Sequence, residues 1–228
     1  MRIYTTWELA YDEIKRDLFN NSVKLQSNRV QDQDVSDNPE FEMREVIGYL
    51  YCLDNVRSTD VLKTLPFEQT EYIFAEFRER VGKLGHNPGQ SYLKLKDLWT
   101  PFLHDGRFSY NYPERIGDQV SRVINLLKFD PVSRQAVVSI WDRVIDKTKV
   151  GIERVPCSLV YMFVIRNEKL DMTYIMRSQD AKTFICIDVA LALKIQEYIA
   201  SELKIKPGRF LHFINSLHIF KKDIHENF

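Results

Sequence analysis

Hydrophobic residues near the start of the chain are spaced as on one face of an α-helix. The series consists of Trp7, Tyr11, Ile14 and Leu18. Thr5, followed by Glu8 three residues later, has the form of a capping box and predicts the start of this helix. Residues 20–38 are polar, so we expect a short strand around Val23 and Leu25 and then a loop.

Two more helices are predicted before the middle of the chain. Asn38, Pro39 and Glu40 form a typical helix start, which predicts a second helix from there to about Asn55. Hydrophobic residues at helical spacing predict a third helix over residues 66–83. Residues 85–112 lack a period, and we expect a long loop with short helical turns, a kind of segment that is more often functional than inert.

The second half of the chain has a more regular pattern. It predicts a helix over 113–127, a strand over 136–141, a hairpin of strands over 155–165 and 170–176, a buried helix over 184–203 and a last strand over 209–220. Helices laid against one sheet give an α+β fold. We expect residues 1–228 to form a single domain.

Composition and charge narrow the class of protein. The chain has 228 residues, of which 44% are hydrophobic and 28% are charged, as in globular proteins. The 32 Lys and Arg residues are matched by 32 Asp and Glu residues, which argues against nucleic acid as a partner. No apolar run reaches the roughly 18 residues of a membrane span, and no signal peptide is evident. The three cysteines lack metal-ligand spacing, so we expect a cytoplasmic protein without a metal.

Cys157 is the candidate nucleophile. It follows Pro156 in a predicted strand, where a cysteine is more often a small buried hydrophobe, and a reactive thiol requires a nearby cation. Arg177 directly follows the second strand of the predicted hairpin, 20 residues after Cys157. We therefore expect Arg177 beside the thiol, able to stabilise a thiolate or to hold an anion.

A set of short motifs resembles the thymidylate synthase superfamily. The motifs are Pro-Cys at 156–157, Arg-Ser-x-Asp at 177–180, an acid at 188, Lys-Pro-Gly at 206–208 and Ser-Leu-His at 216–218. The resemblance implies that Cys157 adds to C6 of a pyrimidine nucleotide, that Arg177 and Ser178 hold its phosphate, and that Asp180 contacts 5,10-methylenetetrahydrofolate. It also implies a mixed β-sheet with helices packed on one side and the other face used for dimerisation.

The resemblance extends upstream to residues 130–135. This segment looks like the family's Asp-Pro-x-Ser-Arg-Arg, whose arginines reach the phosphate site of the neighbouring subunit. Arg134 is kept, whereas Gln135 stands in place of the second arginine. The resemblance thus implies a homodimer in which Arg134 contacts the nucleotide of the other subunit.

Three further residues are assigned by weaker similarity. Residues 44–49 resemble the helix that supplies the family's catalytic glutamate, which makes Glu45 the candidate for proton transfer, the alternative being a solvated glutamate on a helix. Tyr112 is the better match to a tyrosine in a loop near the nucleophile. Arg29 corresponds to a further phosphate arginine from the N-terminal loop.

Asp188 determines which pyrimidine is expected. Thymidylate synthases place asparagine here, whose amide pairs with O4 and N3–H of uracil. An aspartate fits cytosine better, because it accepts a hydrogen bond from the N4 amino group and shares a proton with N3. Aspartate at this position is the mark of the cytidylate hydroxymethylases. The alternative is that Asp188 merely caps a helix.

The sequence therefore predicts hydroxymethylation of dCMP or CMP at C5, with 5,10-methylenetetrahydrofolate as carbon donor and a Cys157 adduct at C6. One alternative is a short thymidylate synthase that acts on dUMP. Another is a nucleotide-binding homologue that has lost the chemistry.

Some positions depart from the family pattern. His218 is the expected nucleotide ligand, but Phe220 replaces the tyrosine that contacts the sugar, so ribose and deoxyribose both remain open. Ser158 follows the nucleophile where synthases have histidine. The chain ends soon after the last motif, and we expect that a less sealed site favours water addition over hydride transfer.

Overall fold

The computed structural model describes residues 1–82, 86–149, 151 and 153–224. Its α-helices are α1 (Trp7–Asn20), α2 (Ser58–Leu62), α3 (Phe67–Val81), α4 (Lys96–Trp99), α5 (Tyr112–Ile116), α6 (Gln119–Phe129) and α7 (Ile185–Glu202). Its strands are β1 (Arg2–Tyr4), β2 (Val23–Gln26), β3 (Arg29–Val30), β4 (Gln33–Asp34), β5 (Glu42–Leu53), β6 (Val137–Ser139), β7 (Ser158–Arg166), β8 (Lys169–Asp180) and β9 (Lys206–Phe220).

One mixed sheet organises the fold. Its strand order is β1-β5-β9-β8-β7-β6, and β2 pairs with the opposite end of β5. The pairs β1/β5 and β8/β9 are parallel, and the other neighbours are antiparallel. The α+β class and the mixed sheet predicted from the sequence are confirmed. Because β8 and β9 are parallel neighbours, the chain must cross over between them, and α7 is that crossover.

The central helix α7 forms the core together with one face of the sheet. It is apolar nearly all round, and most of its residues are buried. Along β8, Leu170, Met172, Tyr174 and Met176 are buried. The residues between them are partly exposed, so this stretch of β8 has one covered face and one open face.

The alternation of buried residues changes phase at one level of the sheet. In β8 the buried series continues after Met176 at Gln179, and in β9 it continues after Ile214 at Leu217. Two consecutive accessible residues therefore occur in each strand, Arg177 with Ser178 in β8 and Asn215 with Ser216 in β9. This irregularity takes polar side chains out of the core at the place where the candidate site lies.

The predicted second helix is wrong. The start signal at Asn38 produces a single 3-10 turn, Pro39–Phe41, in which Asn38 Oδ1 accepts a hydrogen bond from the backbone N–H of Glu40 at 3.1 Å. The residues that follow form strand β5, which is rich in β-branched and aromatic residues and contains Gly48 at a φ of 69°. Glu45 therefore lies on a strand that pairs with β9.

Other predicted elements agree in kind but differ in detail. The cap of α1 is Thr6, whose side chain accepts from Leu9 N, and not Thr5. The helix predicted over 113–127 is divided into α5 and α6 at Gly117, which has a φ of 47°. The predicted loop after Val23 and Leu25 contains the small hairpin β3–β4. The predicted helix end at Lys83 and loop start at Gly85 lie outside the described residues.

The described residues include neither a membrane-spanning helix nor a metal-binding cluster. None of their helices combines the length and the apolar character needed to cross a membrane. They also contain no group of three or more His, Cys, Asp or Glu side chains placed to hold a metal ion.

Candidate active site

A cavity of about 380 Å³ collects most of the residues that the sequence singled out. Those lining it are Arg29, Tyr112, Cys157, Arg177, Ser178, Asp180, Asp188 and His218. Glu45 and Arg134 are not among its lining residues. A larger open groove of about 1010 Å³ lies beside it and shares Tyr110 and Glu153 with it, but holds none of the predicted site residues.

Arg177 and Cys157 are held together by the backbone. The Arg177 Nε donates to Pro156 O at 2.8 Å, and its Nη2 donates to Val155 O at 3.1 Å. The same Nη2 lies 3.6 Å from Cys157 Sγ. The predicted hairpin therefore brings the guanidinium group to the sulfur, where it can donate a hydrogen bond to Sγ.

A second donor to the sulfur comes from a loop. Gln31 lies at the turn of the β3–β4 hairpin with a φ of 56°, and its Nε2 is 3.6 Å from Cys157 Sγ. Arg29 on β3 lines the cavity and is exposed, with Nη2 bonded to Asp32 O at 3.0 Å. Gln31 was missed because nothing in a polar loop sequence indicates a contact 126 residues away.

Polar residues of the three adjacent strands β5, β9 and β8 lie side by side across the sheet. The pairing register places His218 of β9 opposite both Asp180 of β8 and Glu45 of β5. Ser178 Oγ and His218 Nδ1 are 3.5 Å apart, and Ser216 Oγ donates a hydrogen bond to Glu45. Burial lowers the pKa of His218, which favours the neutral imidazole.

Asp188 lies in the first turn of α7 and is partly buried. Its Oδ2 accepts a hydrogen bond from Gln179 Nε2 at 3.1 Å. Burial raises the pKa of Asp188 to about 6, although Arg80 and the hydrogen bond from Gln179 oppose this rise. The carboxyl group can therefore carry a proton near neutral pH.

Asp180 has a structural task in addition to facing the cavity. Its Oδ1 accepts from the backbone N–H groups of Lys182 at 2.8 Å and Thr183 at 2.9 Å. These bonds shape the turn that leads from β8 into α7.

Tyr112 is fixed from two sides. Ser158, the residue after the nucleophile, is fully buried and donates to Tyr112 Oη at 3.1 Å, while it also bonds to Tyr174 Oη. The Arg80 guanidinium lies over the Tyr112 ring at 4.1 Å.

A buried ion pair, which was not expected from the sequence, lies next to Tyr112. Arg80 Nε donates to Glu76 Oε1 at 2.9 Å, and Ser91 Oγ donates to Glu76 Oε2 at 2.6 Å. Both charged residues are buried, and Arg80 lines the cavity. Glu76 and Arg80 are four residues apart on a helix, a spacing that indicates an ion pair. The spacing does not indicate that the ion pair is buried.

The remaining wall of the cavity is aromatic. The ring centroids of Trp99 and Phe184 are 5.7 Å apart. The guanidinium carbon of Arg154 lies 4.2 Å from the centroid of the Phe102 ring. Tyr72 also lines this wall. Such a surface can stack against a planar heterocycle.

The chain is similar in sequence and in fold to known proteins. The profile of the family described as thymidylate synthase matches residues 68–227. A protein of Methanocaldococcus jannaschii provisionally named thymidylate synthase is 31% identical over 144 residues, which are 60% of this chain and 65% of that protein. The thymidylate synthase of Mycoplasma genitalium is 29% identical over 110 residues, 48% of this chain and 37% of that enzyme. The chain spans less than two thirds of the length of these relatives.

Among solved structures, thermostable thymidylate synthase A from Bacillus subtilis shares the fold. The TM-score is 0.75 at 17% sequence identity, covering 96% of this chain and 82% of that chain. At this identity the likeness concerns the fold alone. Because the family profile matches well over half of the sequence, the chain belongs to the thymidylate synthase family.

Proposed function

We propose that this chain hydroxymethylates a cytidylate, dCMP or CMP, at C5 of the base, with 5,10-methylenetetrahydrofolate as carbon donor. The thymidylate synthase family transfers one-carbon units and uses this folate as donor. The observation that carries the choice of substrate is that Asp188, a carboxyl group where thymidylate synthases place an asparagine, lines the same cavity as Cys157.

The nucleotide would be held by its phosphate and sugar. Arg177, Ser178 and Arg29 are the proposed phosphate ligands, since charge-assisted hydrogen bonds from arginine suit phosphate oxygens. His218 lines the cavity next to Ser178 and is the proposed sugar contact. Phe220 has no hydroxyl to offer to the sugar.

Cys157 starts the chemistry as a nucleophile. Its sulfur forms a bond to C6 of the base, and the electron pair of the C5–C6 double bond moves towards the ring nitrogen N3. Arg177 Nη2 and Gln31 Nε2, both 3.6 Å from Sγ, stabilise the attacking thiolate. Loss of the sulfur at the end of the reaction restores the double bond.

Asp188 supplies the proton that this electron shift requires. When the carboxyl gives its proton to N3, the cytosine edge becomes two donors, N3–H and N4–H, and the carboxylate becomes two acceptors. The pairing is bidentate before and after this transfer, but afterwards both hydrogen bonds end on a carboxylate. Because such charge-assisted bonds are stronger, the pairing stabilises the transition state more than the ground state. A pKa near 6 suits a proton donor at neutral pH.

The aromatic wall and Asp180 fit the folate. The wall made by Tyr72, Trp99, Phe102 and Phe184 can stack on a planar bicyclic ring, and Asp180 lines the cavity. When bound, the folate supplies the carbon that becomes attached to C5. Water would add to that carbon only after tetrahydrofolate and the C5 proton have left, and a carboxylate must take the proton that the water releases.

Two carboxylates are candidates for this proton. Glu45, predicted from the sequence, accepts from Ser216 and lies opposite His218, but it is not among the residues that line the cavity. Glu76 is buried behind Tyr112 and lines a small adjoining cavity of about 40 Å³. Comparing the variants Glu45→Gln and Glu76→Gln decides between them. The variant that lacks the proton acceptor should lose hydroxymethylation of the nucleotide but should still exchange the hydrogen at C5.

A short thymidylate synthase acting on dUMP is the second candidate. The pKa of Asp188 supports it as well, because a protonated carboxyl presents one donor and one acceptor, which pair with O4 and N3–H of uracil. The relatives named as thymidylate synthases support it too.

Release of tritium from C5 of dCMP, CMP and dUMP separates the two functions. We expect release from a cytidylate, identification of the 5-hydroxymethyl product by mass, and no release by Cys157→Ala, which still binds nucleotide. We expect Asp188→Asn to lose the cytidylate and gain dUMP, because an amide donates to O4. If the wild-type chain releases tritium from dUMP alone, the hydroxymethylase proposal is wrong.

We also propose that residues 1–228 act as one domain in a cytoplasmic homodimer that contacts neither membrane nor nucleic acid. Arg134 is exposed and lies outside the cavity of its own chain, as a residue serving a neighbouring subunit would. Mixing inactive Arg134→Ala with inactive Cys157→Ala should restore activity, since one site then has both residues. Absence of recovery, with mixed dimers demonstrated, would contradict the role of Arg134.

A further inference from the structure

Gln179 occupies an unusual position beside Asp188. It lies on β8 between Ser178 and Asp180, is 2% exposed and lines the cavity. Its Nε2 donates to Asp188 Oδ2 at 3.1 Å and to the backbone oxygen of Asp180 at 3.3 Å. Because both partners are acceptors, the orientation of this amide is determined, and Oε1 points away from them.

The oxygen of this amide, Gln179 Oε1, is a buried hydrogen-bond acceptor without a donor among the described residues. A buried acceptor without a donor is unfavourable, so such groups usually meet water or a ligand. Here the acceptor belongs to the same amide that holds Asp188, and it therefore lies next to the carboxyl that is proposed to recognise the base.

A cytosine base has the donor that this acceptor lacks. Its exocyclic amino group carries two hydrogens, of which one points to the N3 side and pairs with Asp188. The second hydrogen points to the C5 side and needs another acceptor. Uracil has an oxygen at the same place, which would face Gln179 Oε1 with no hydrogen between them.

We propose that Gln179 is a second specificity-determining residue, whose Nε2 positions Asp188 and whose Oε1 accepts the second amino hydrogen of a bound cytidylate. This inference rests on the proposed function. It assigns discrimination between amino- and oxo-pyrimidines to two adjacent side chains, and rejection of uracil follows from an acceptor left unpaired.

The test compares three nucleotides on two variants. dCMP, dUMP and the nucleotide of pyrimidin-2-one, which lacks the amino group, are titrated by calorimetry into wild type, Gln179→Met and Gln196→Met. Gln196 is the matched control, since it is 1% exposed and its Nε2 donates to Leu170 O at 2.8 Å and Arg209 O at 3.0 Å, away from the cavity. Thermal melts report on folding.

We expect Gln179→Met to weaken dCMP binding about tenfold more than binding of the pyrimidin-2-one nucleotide, because both nucleotides lose the positioning of Asp188 but only dCMP loses a hydrogen bond to Oε1. Gln196→Met should change neither. An unchanged preference in Gln179→Met, with the wild type favouring dCMP, overturns the role of Gln179 and leaves the proposed function standing. A wild type that favours dUMP overturns both.

A measurement on the wild type keeps the inference testable if Gln179→Met does not fold. Two acceptors for the amino group predict that the pyrimidin-2-one nucleotide binds about 100-fold more weakly than dCMP. A loss of about tenfold would correspond to one acceptor, Asp188, and would overturn the inference.

Discussion

Asp188 should make the folded protein less stable as the pH rises, and Asp188→Asn should remove this effect. Burial raises the pKa of the Asp188 carboxyl from 3.8 to about 6, so the folded chain holds this proton more tightly than the unfolded chain. The stability that the proton contributes is therefore complete below pH 3.8 and is lost as the pH rises through 6. The asparagine keeps an oxygen for the Gln179 amide and does not titrate.

The magnitude follows from the two pKa values. The difference between 3.8 and about 6 corresponds to about 3 kcal/mol, since one pKa unit equals about 1.4 kcal/mol. In a chain of this size 1 kcal/mol shifts the melting temperature by about 2–4 °C, so the change amounts to about 6–12 °C.

The assay is the unfolding free energy of wild type and Asp188→Asn in urea, measured at intervals from about pH 4 to pH 8. We expect the variant to gain stability over the wild type through this range. Asp142→Asn is the control, because backbone hydrogen bonds from Ile145 and Val144 lower the pKa of that carboxyl, which is then ionised at both ends of the range. Parallel pH profiles for wild type and Asp188→Asn would refute a raised pKa at Asp188.

Three further changes test other parts of the structure. Arg80→Met leaves Glu76 buried without its cation and should cost about 3–5 kcal/mol in urea unfolding; a loss below 1 kcal/mol would contradict the buried pair. His212→Phe should flatten the acid side of the stability profile, because burial lowers the pKa of His212 to about 3 and the wild type loses stability as the pH falls below 6.5; an unchanged acid slope would contradict this. Gly48→Ala should cost about 1–2 kcal/mol through its φ of 69° alone, as no atom lies within 4 Å of the added Cβ, and an unchanged melting temperature would contradict that strain.

Prediction from sequence succeeded where a local pattern has a single structural solution. The alternation and turn residues of 155–176 predicted the hairpin that brings Arg177 to Cys157, now seen at 3.6 Å. It failed at residues 38–55, where a genuine helix-start signal is followed by a strand. There the pairing of β5 with β9 decided the structure, and pairing partners 157 or more residues away leave no local signal.

The sequence by itself determined the α+β class, the buried central helix and eight candidate site residues that line one cavity, because hydrophobic periodicity and short motifs are local properties. The tertiary structure alone decided that Glu45 lies on a strand, that Glu76 and Arg80 form a buried pair, and that Gln179 holds Asp188. Those facts depend on which side chains meet across the sheet and on how far water is excluded from them. A pattern along the chain predicts the burial of apolar faces and the contacts within a hairpin, but not the burial of a charged pair or a contact between elements that no short turn connects.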